Sequence, residues 1–74
     1  MKKTFSRLEY ERKFCLRMSQ IELAALAGIS QGEVSLAERG LTTAPRVWKS
    51  LSVALHLTPE ELTAPVQRDN EVPQ

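Results

Sequence analysis

The sequence predicts an all-α domain of five short helices, on three observations. A hydroxyl residue followed three places later by Glu recurs four times, and an apolar set at spacings of one, three and four follows Pro45. No stretch alternates with the period of a strand, and no hairpin dipeptide sits between β-branched runs.

The hydroxyl-to-Glu pattern reads as Ser6-Arg7-Leu8-Glu9, Ser19-Gln20-Ile21-Glu22, Ser30-Gln31-Gly32-Glu33 and Thr58-Pro59-Glu60-Glu61. In a capping box the hydroxyl accepts from the backbone N–H three residues on, and the carboxylate reaches back to the N–H of the cap. Each copy is flanked by an apolar pair at staple spacing: Phe5 with Tyr10, Met18 with Leu23, Ile29 with Val34, Leu57 with Leu62. Helices are therefore expected to begin near residues 7, 20, 31 and 59. A fifth fits Pro45 to Leu55, since Pro suits a first helical turn and Val47, Trp48, Leu51 and Leu55 share a face. Its cap is weaker, with Thr43 or Ala44 before it. The organisation expected is one domain over residues 1–63 and a frayed polar tail over 64–74.

Composition removes several classes of function. The chain has 74 residues, and a domain near this size buries only about 60% of the surface its unfolded chain exposes, so caps and turns carry unusual weight. A single Cys15 permits no internal disulfide, and with His56 as the one histidine there is no ligand set for zinc. No metal and no cofactor are expected. With neither a Gly-rich phosphate loop nor a nucleophile and base pair, an enzyme is not expected either. No apolar run approaches the roughly 18 residues of a membrane span, and Met1-Lys2-Lys3-Thr4 opens no signal peptide, so the expected location is cytoplasmic.

Between Gln20 and Gly40 the spacing becomes specific. One helix ends at Gly28, where a left-handed backbone is cheapest, and the next is capped two residues later by Ser30. So short a turn makes the two helices cross steeply, and Ala24 supplies the small residue such a contact needs. Leu23, Ala27, Ile29, Val34 and Ala37 then form one apolar seam, which makes the pair a helix-turn-helix.

The string from Ser19 to Gly40 closely resembles the helix-turn-helix of the phage-repressor and Cro class, the XRE family. Its fixed places are met by Ser19, Gln20, Leu23, Ala24, Gly28, Ile29, Ser30, Val34, Ser35, Glu38 and Gly40, and the likeness continues through Pro45, Leu51, Ala54, Leu55 and Leu57-Thr58 to Leu62. The resemblance implies a compact five-helix, lambda-repressor-like DNA-binding domain. It also implies a recognition helix over 31–38 that enters the major groove.

Carried over by position, Gln31, Gly32, Glu33, Ser35 and Leu36 face the bases. Gln31 can present a bidentate amide to adenine, Ser35 can bond base or phosphate, and Leu36 offers apolar contact to a thymine methyl. Glu33 can accept from cytosine N4 or serve Ser30 as its capping partner. Gln20, at the start of its helix, is placed at a phosphate, and Arg39, Thr42, Thr43 and Arg46 at the backbone or minor groove. The carboxylate of Glu38 is implied to pair with helix one, with Lys13 in the matching place and Arg12 as competitor. Helix one departs from the pattern: its usual apolar places fall on Glu9 and Arg12, and Arg17 and His56 stand where the family has glycine. A register shift, or a different packing by Phe5, Leu8, Cys15 and Leu16, follows, with Cys15 and Trp48 expected in the core.

Charge is uneven within the total of +1. Residues 1–17 balance to +4, 18–40 to −2, 41–57 to +2 and 58–74 to −3. Lys2, Lys3 and Arg7 are candidates for a basic arm, against an ordinary solvated terminus. The expected function is a sequence-specific DNA-binding transcriptional regulator, a repressor that occupies an operator on double-stranded DNA, nucleoid-associated when bound and acting as a homodimer. Leu57, Leu62 and Val66 are candidates for the dimer seam, against core burial of the first two. The competing expectation keeps the fold as an antitoxin-like or adaptor module that binds a protein partner, on the strength of Glu33, Leu36 and the small net charge.

Overall fold

Side-chain capping sets where four of the five α-helices start. The computed structural model describes residues 2–69, and among them strand β1 (Lys2–Ser6) leads into α1 (Arg7–Tyr10), which widens into a π-helical turn (Glu11–Cys15). Helices α2 (Gln20–Ala27), α3 (Gln31–Glu38), α4 (Pro45–Leu55) and α5 (Pro59–Thr63) follow, and strand β2 (Pro65–Asp69) closes the order. Ser19, Ser30 and Thr58 each form a complete capping box with Glu22, Glu33 and Glu61. At Ser6 only half of the box is made: its hydroxyl accepts from the Glu9 N–H, while the Glu9 carboxylate turns to Lys13, 3.3 Å away. Helix α4 starts on Ala44 with Pro45 in its first turn, and the Thr42 hydroxyl accepts from the Ala44 N–H at 3.2 Å.

Helix ends repeat one solution. At Gly28 the backbone is left-handed, φ 75°, and the N–H groups of Gly28 and Ile29 both reach the Ala24 carbonyl. His56 does the same for α4 at φ 59°, with its own N–H and that of Leu57 returning to Ser52. Arg17 takes φ 54° after the π-helical turn. Both places where the family pattern has glycine are thus left-handed here, and non-glycine residues occupy them.

The core is built from Leu8, Leu23, Ala24, Val34, Ala37, Val47, Leu51 and Leu62, with Ala27, Ile29, Trp48, Leu55 and Leu57 packed against it. Ala24, four residues before the short turn between α2 and α3, is buried in the core. Trp48 is part-buried and its indole N–H donates to the Thr42 carbonyl at 3.2 Å. Leu62 is fully buried and Leu57 packs on the core, so of the three seam candidates these two serve the interior.

Two features of the ends correct the sequence reading. Where a frayed tail was expected, Pro65–Asp69 pair antiparallel with Lys2–Ser6, with Val66 opposite Phe5. Residues 70–74 of that tail lie outside the described residues. The ribbon buries Phe5, which meets the edge of Phe14 at 5.2 Å, and Phe14 in turn lies 5.4 Å from Tyr10. Phe14 therefore bridges the two residues expected to staple directly. The backbone of Lys2 and Lys3 belongs to this ribbon, not to an extended arm, and Arg7 pairs with Glu11 at 2.6 Å.

The π-helical turn also explains the irregular first helix. Its wide i to i+5 bond, Leu16 N–H to Glu11 carbonyl at 2.8 Å, slips the chain by one residue against α-helical spacing. Arg12 is thereby turned inward and buried. Cys15 and Leu16 are turned out: Cys15 is exposed, not in the core as expected, and Leu16 is exposed as well.

Candidate nucleic-acid interface

Helix α3 divides into two faces. Val34 and Ala37 are buried, while Gln31, Gly32, Leu36 and Arg39 are exposed and Ser35 is half-exposed between them. Positions 31, 32, 35, 36 and 39 lie at helical spacing on one outward stripe, which covers four of the five residues expected to face bases. Glu33 stands apart from that stripe.

Glu33 is committed within the protein. One carboxylate oxygen accepts from the Ser30 N–H at 2.9 Å, and the other takes the guanidinium of Arg46, from the first turn of α4. The Ser30 N–H, and after it Arg46, hold the Glu33 carboxyl below its ordinary range. Its negative charge is therefore matched by a cation and by the helix N-terminus. Arg46, in turn, is folded over the mouth of α3. Arg39 caps the far end of α3, with its Nε 3.4 Å from the Ser35 carbonyl, and Thr42 and Thr43 follow in the loop to α4. Thr42 keeps its O–H hydrogen for a further acceptor while its oxygen serves Ala44; Thr43 is exposed.

A chain of hydrogen bonds runs from the interior to the outward stripe. Arg12 donates to both oxygens of Glu38, with Nη2 at 3.1 Å from Oε1, and its Nη1 donates to the Met18 carbonyl at 2.8 Å. The partner of Glu38 is thus Arg12 and not Lys13, because the π-helical turn brings residue 12 inward; Lys13 pairs with Glu9 and lies 5.6 Å over the Phe5 ring. Glu38 Oε1 also accepts from Gln20 Nε2 at 3.0 Å, and Gln20 Oε1 accepts from Gln31 Nε2 at 2.9 Å. Gln20 and Gln31 each hold the first position of their helix, before and after the three-residue turn Gly28-Ile29-Ser30. That shared position was the available signal for their contact, which the sequence reading did not draw.

Among the described residues no cluster of three or more His, Cys, Asp or Glu side chains could hold a metal ion, and no helix is long and apolar enough to cross a membrane. What the surface does offer is a polar and apolar stripe on α3, with Arg39 at the C-cap of α3 and Arg46 in the first turn of α4. Comparison with known families agrees with that geometry. A family model described as helix-turn-helix matches residues 8–62, from the start of α1 to the end of α5. The chain belongs to the helix-turn-helix family of the phage-repressor and Cro (XRE) type, a family of DNA-binding regulators.

Proposed function

We propose that this protein is a sequence-specific transcriptional repressor that occupies an operator with α3 in the major groove. The observation that carries the reading is the outward stripe of α3, with the Gln31 amide already held in place by Gln20. Gln31, Gly32, Ser35 and Leu36 meet base edges, and Glu33 holds the helix mouth. Gln20, Arg39, Thr42, Thr43 and Arg46 contact phosphate or the minor groove, Arg46 exchanging its Glu33 partner for phosphate in the complex. One α3 reads only a few base pairs, so two copies acting on a two-fold operator supply the specificity. A DNA ligand implies a cytoplasmic protein that is nucleoid-associated when bound.

The alternative use, a protein-interaction module, leaned on Glu33 and Leu36. Pairing of Glu33 with Ser30 and Arg46 removes the first of these from the free surface, so the DNA reading is favoured. Selection of bound sites from random duplexes at moderate salt tests it: an enriched two-fold motif, with affinity falling steeply as salt rises, is expected. Absence of any enriched motif overturns it. Gln31→Ala should relax preference at one base pair, whereas Arg46→Ala should weaken all sites alike.

A further inference from the structure

The buried ion pair is chemically connected to the base-facing surface, and the connection has a direction. A carboxylate paired with a guanidinium only accepts hydrogen bonds. The side of Gln20 that meets Glu38 must therefore be its nitrogen, as the 3.0 Å contact has it. Its oxygen then points the other way, to Gln31, and can only accept; the atom of Gln31 that meets it must be nitrogen, at 2.9 Å. Gln31 is left with its oxygen and its second N–H for a ligand, in a fixed order around the amide.

We infer that Glu38, held by Arg12, is a specificity-determining positioning residue: acting through Gln20, it sets which way round the Gln31 amide faces the DNA. The inference rests on the reading of α3 as a base-reading helix. An amide presenting one acceptor and one donor matches the major-groove edge of adenine, whose N6 donates and N7 accepts. Turned over, with its oxygen spent on a donor from Gln20, the same amide presents two N–H groups, which suits guanine O6 and N7 instead. Burial secures the setting. The side chains of Arg12 and Glu38 are 9% and 4% exposed, so water does not compete for the carboxylate, and Arg12 is anchored a third time on the Met18 carbonyl. Arg12 and Glu38 touch no DNA in this arrangement; they act on the choice of base from behind the helix.

Two variants test this. Gln20→Ala removes the link while leaving the buried ion pair whole. Glu38→Gln keeps the shape but places at position 38 an amide that can donate as well as accept, so Gln20 and Gln31 can reverse. Site selection with the full chain and each variant reads the outcome. Adenine preference at the single base pair assigned by Gln31→Ala should fall at least about fivefold against guanine in both variants, with preferences at the other positions retained. Gln20→Ala should also weaken every site by a common factor, since Gln20 meets phosphate. If Glu38→Gln does not fold, Gln20→Ala decides alone. Side-chain amide spectra of the free, 15N-labelled protein give a reading without DNA: shifted, slowly exchanging Gln20 and Gln31 amide protons in the wild type, averaged Gln31 protons in Gln20→Ala. An enriched motif whose adenine preference survives Gln20→Ala unchanged overturns the inference alone. A wild-type selection with no motif overturns the reading of α3 and the inference together, and the amide spectra then still show whether the hydrogen-bonded chain exists.

Discussion

Arg46, in the first turn of α4, clasps Glu33, in the first turn of α3, and so ties the starts of the two helices together. Glu33 also closes the capping box of Ser30. The carboxyl of Glu33 is held below its ordinary range by the Ser30 N–H first and by Arg46 second. A group depressed in the folded state contributes stability that is full above its unfolded value and is lost as pH falls through its folded value. A carbon-detected titration of Glu33 should therefore show a midpoint below that of an exposed Glu. Glu33→Gln should flatten the acid side of the stability curve, and a Glu33 midpoint at or above the ordinary Glu range would show that the clasp does not hold the carboxylate.

His56 ends α4 in the left-handed region at φ 59°, where a side chain costs about 1–2 kcal/mol that glycine avoids. Part of that gain is returned because glycine loses more freedom on folding. His56→Gly should stabilise the domain by up to about 1 kcal/mol, or a rise in Tm of about 4–8 °C for a domain this small. Lys49→Gly, in the middle of the same helix, should instead cost about 1 kcal/mol. Opposite signs for the two glycines in thermal melts check the conformation directly.

Sequence made the helix starts legible because capping is local: Ser19, Ser30 and Thr58 need only the Glu three residues on. It made the stripe on α3 legible because Val34 and Ala37 declare the buried face. The β1–β2 ribbon was hidden, since Phe5 and Val66 pair across almost the whole chain and neither strand alternates cleanly. Arg12 was hidden behind Lys13 for a different reason. The misplaced Glu9, Arg12 and Arg17 signal a shift of register, but no residue type announces the π-helical turn that makes it. The link from Gln20 to Gln31 combines both difficulties, being a contact across a turn whose tightness was read but whose side-chain consequence was not.

The Arg12–Glu38 pair makes a prediction about stability separate from its effect on base choice. Both groups are nearly excluded from water, so removing one leaves the other charged and unpaired. Arg12→Met should cost about 3–5 kcal/mol in urea unfolding, while the double change Arg12→Met with Glu38→Leu should be far milder. A double variant no more stable than Arg12→Met would mean that packing around the arginine stem, and not the stranded carboxylate, carries the loss.

Phe5 is the one large ring that the ribbon buries, and it sits opposite Val66 and edge-on to Phe14. A two-stranded ribbon alone is at best marginal in water, so its stability must come from what its inner face covers. Phe5→Ala should therefore destabilise the domain by about 3 kcal/mol. Gln67→Ala, an exposed change on β2, should stay within about 0.5 kcal/mol. Removing Pro65–Asp69 should act like Phe5→Ala, because it uncovers the same ring, and combining the two should add little. Urea unfolding of the two single changes and their combination measures that coupling. Fully additive losses would show that β2 stabilises the fold independently of Phe5, through its backbone pairing with Lys2–Ser6.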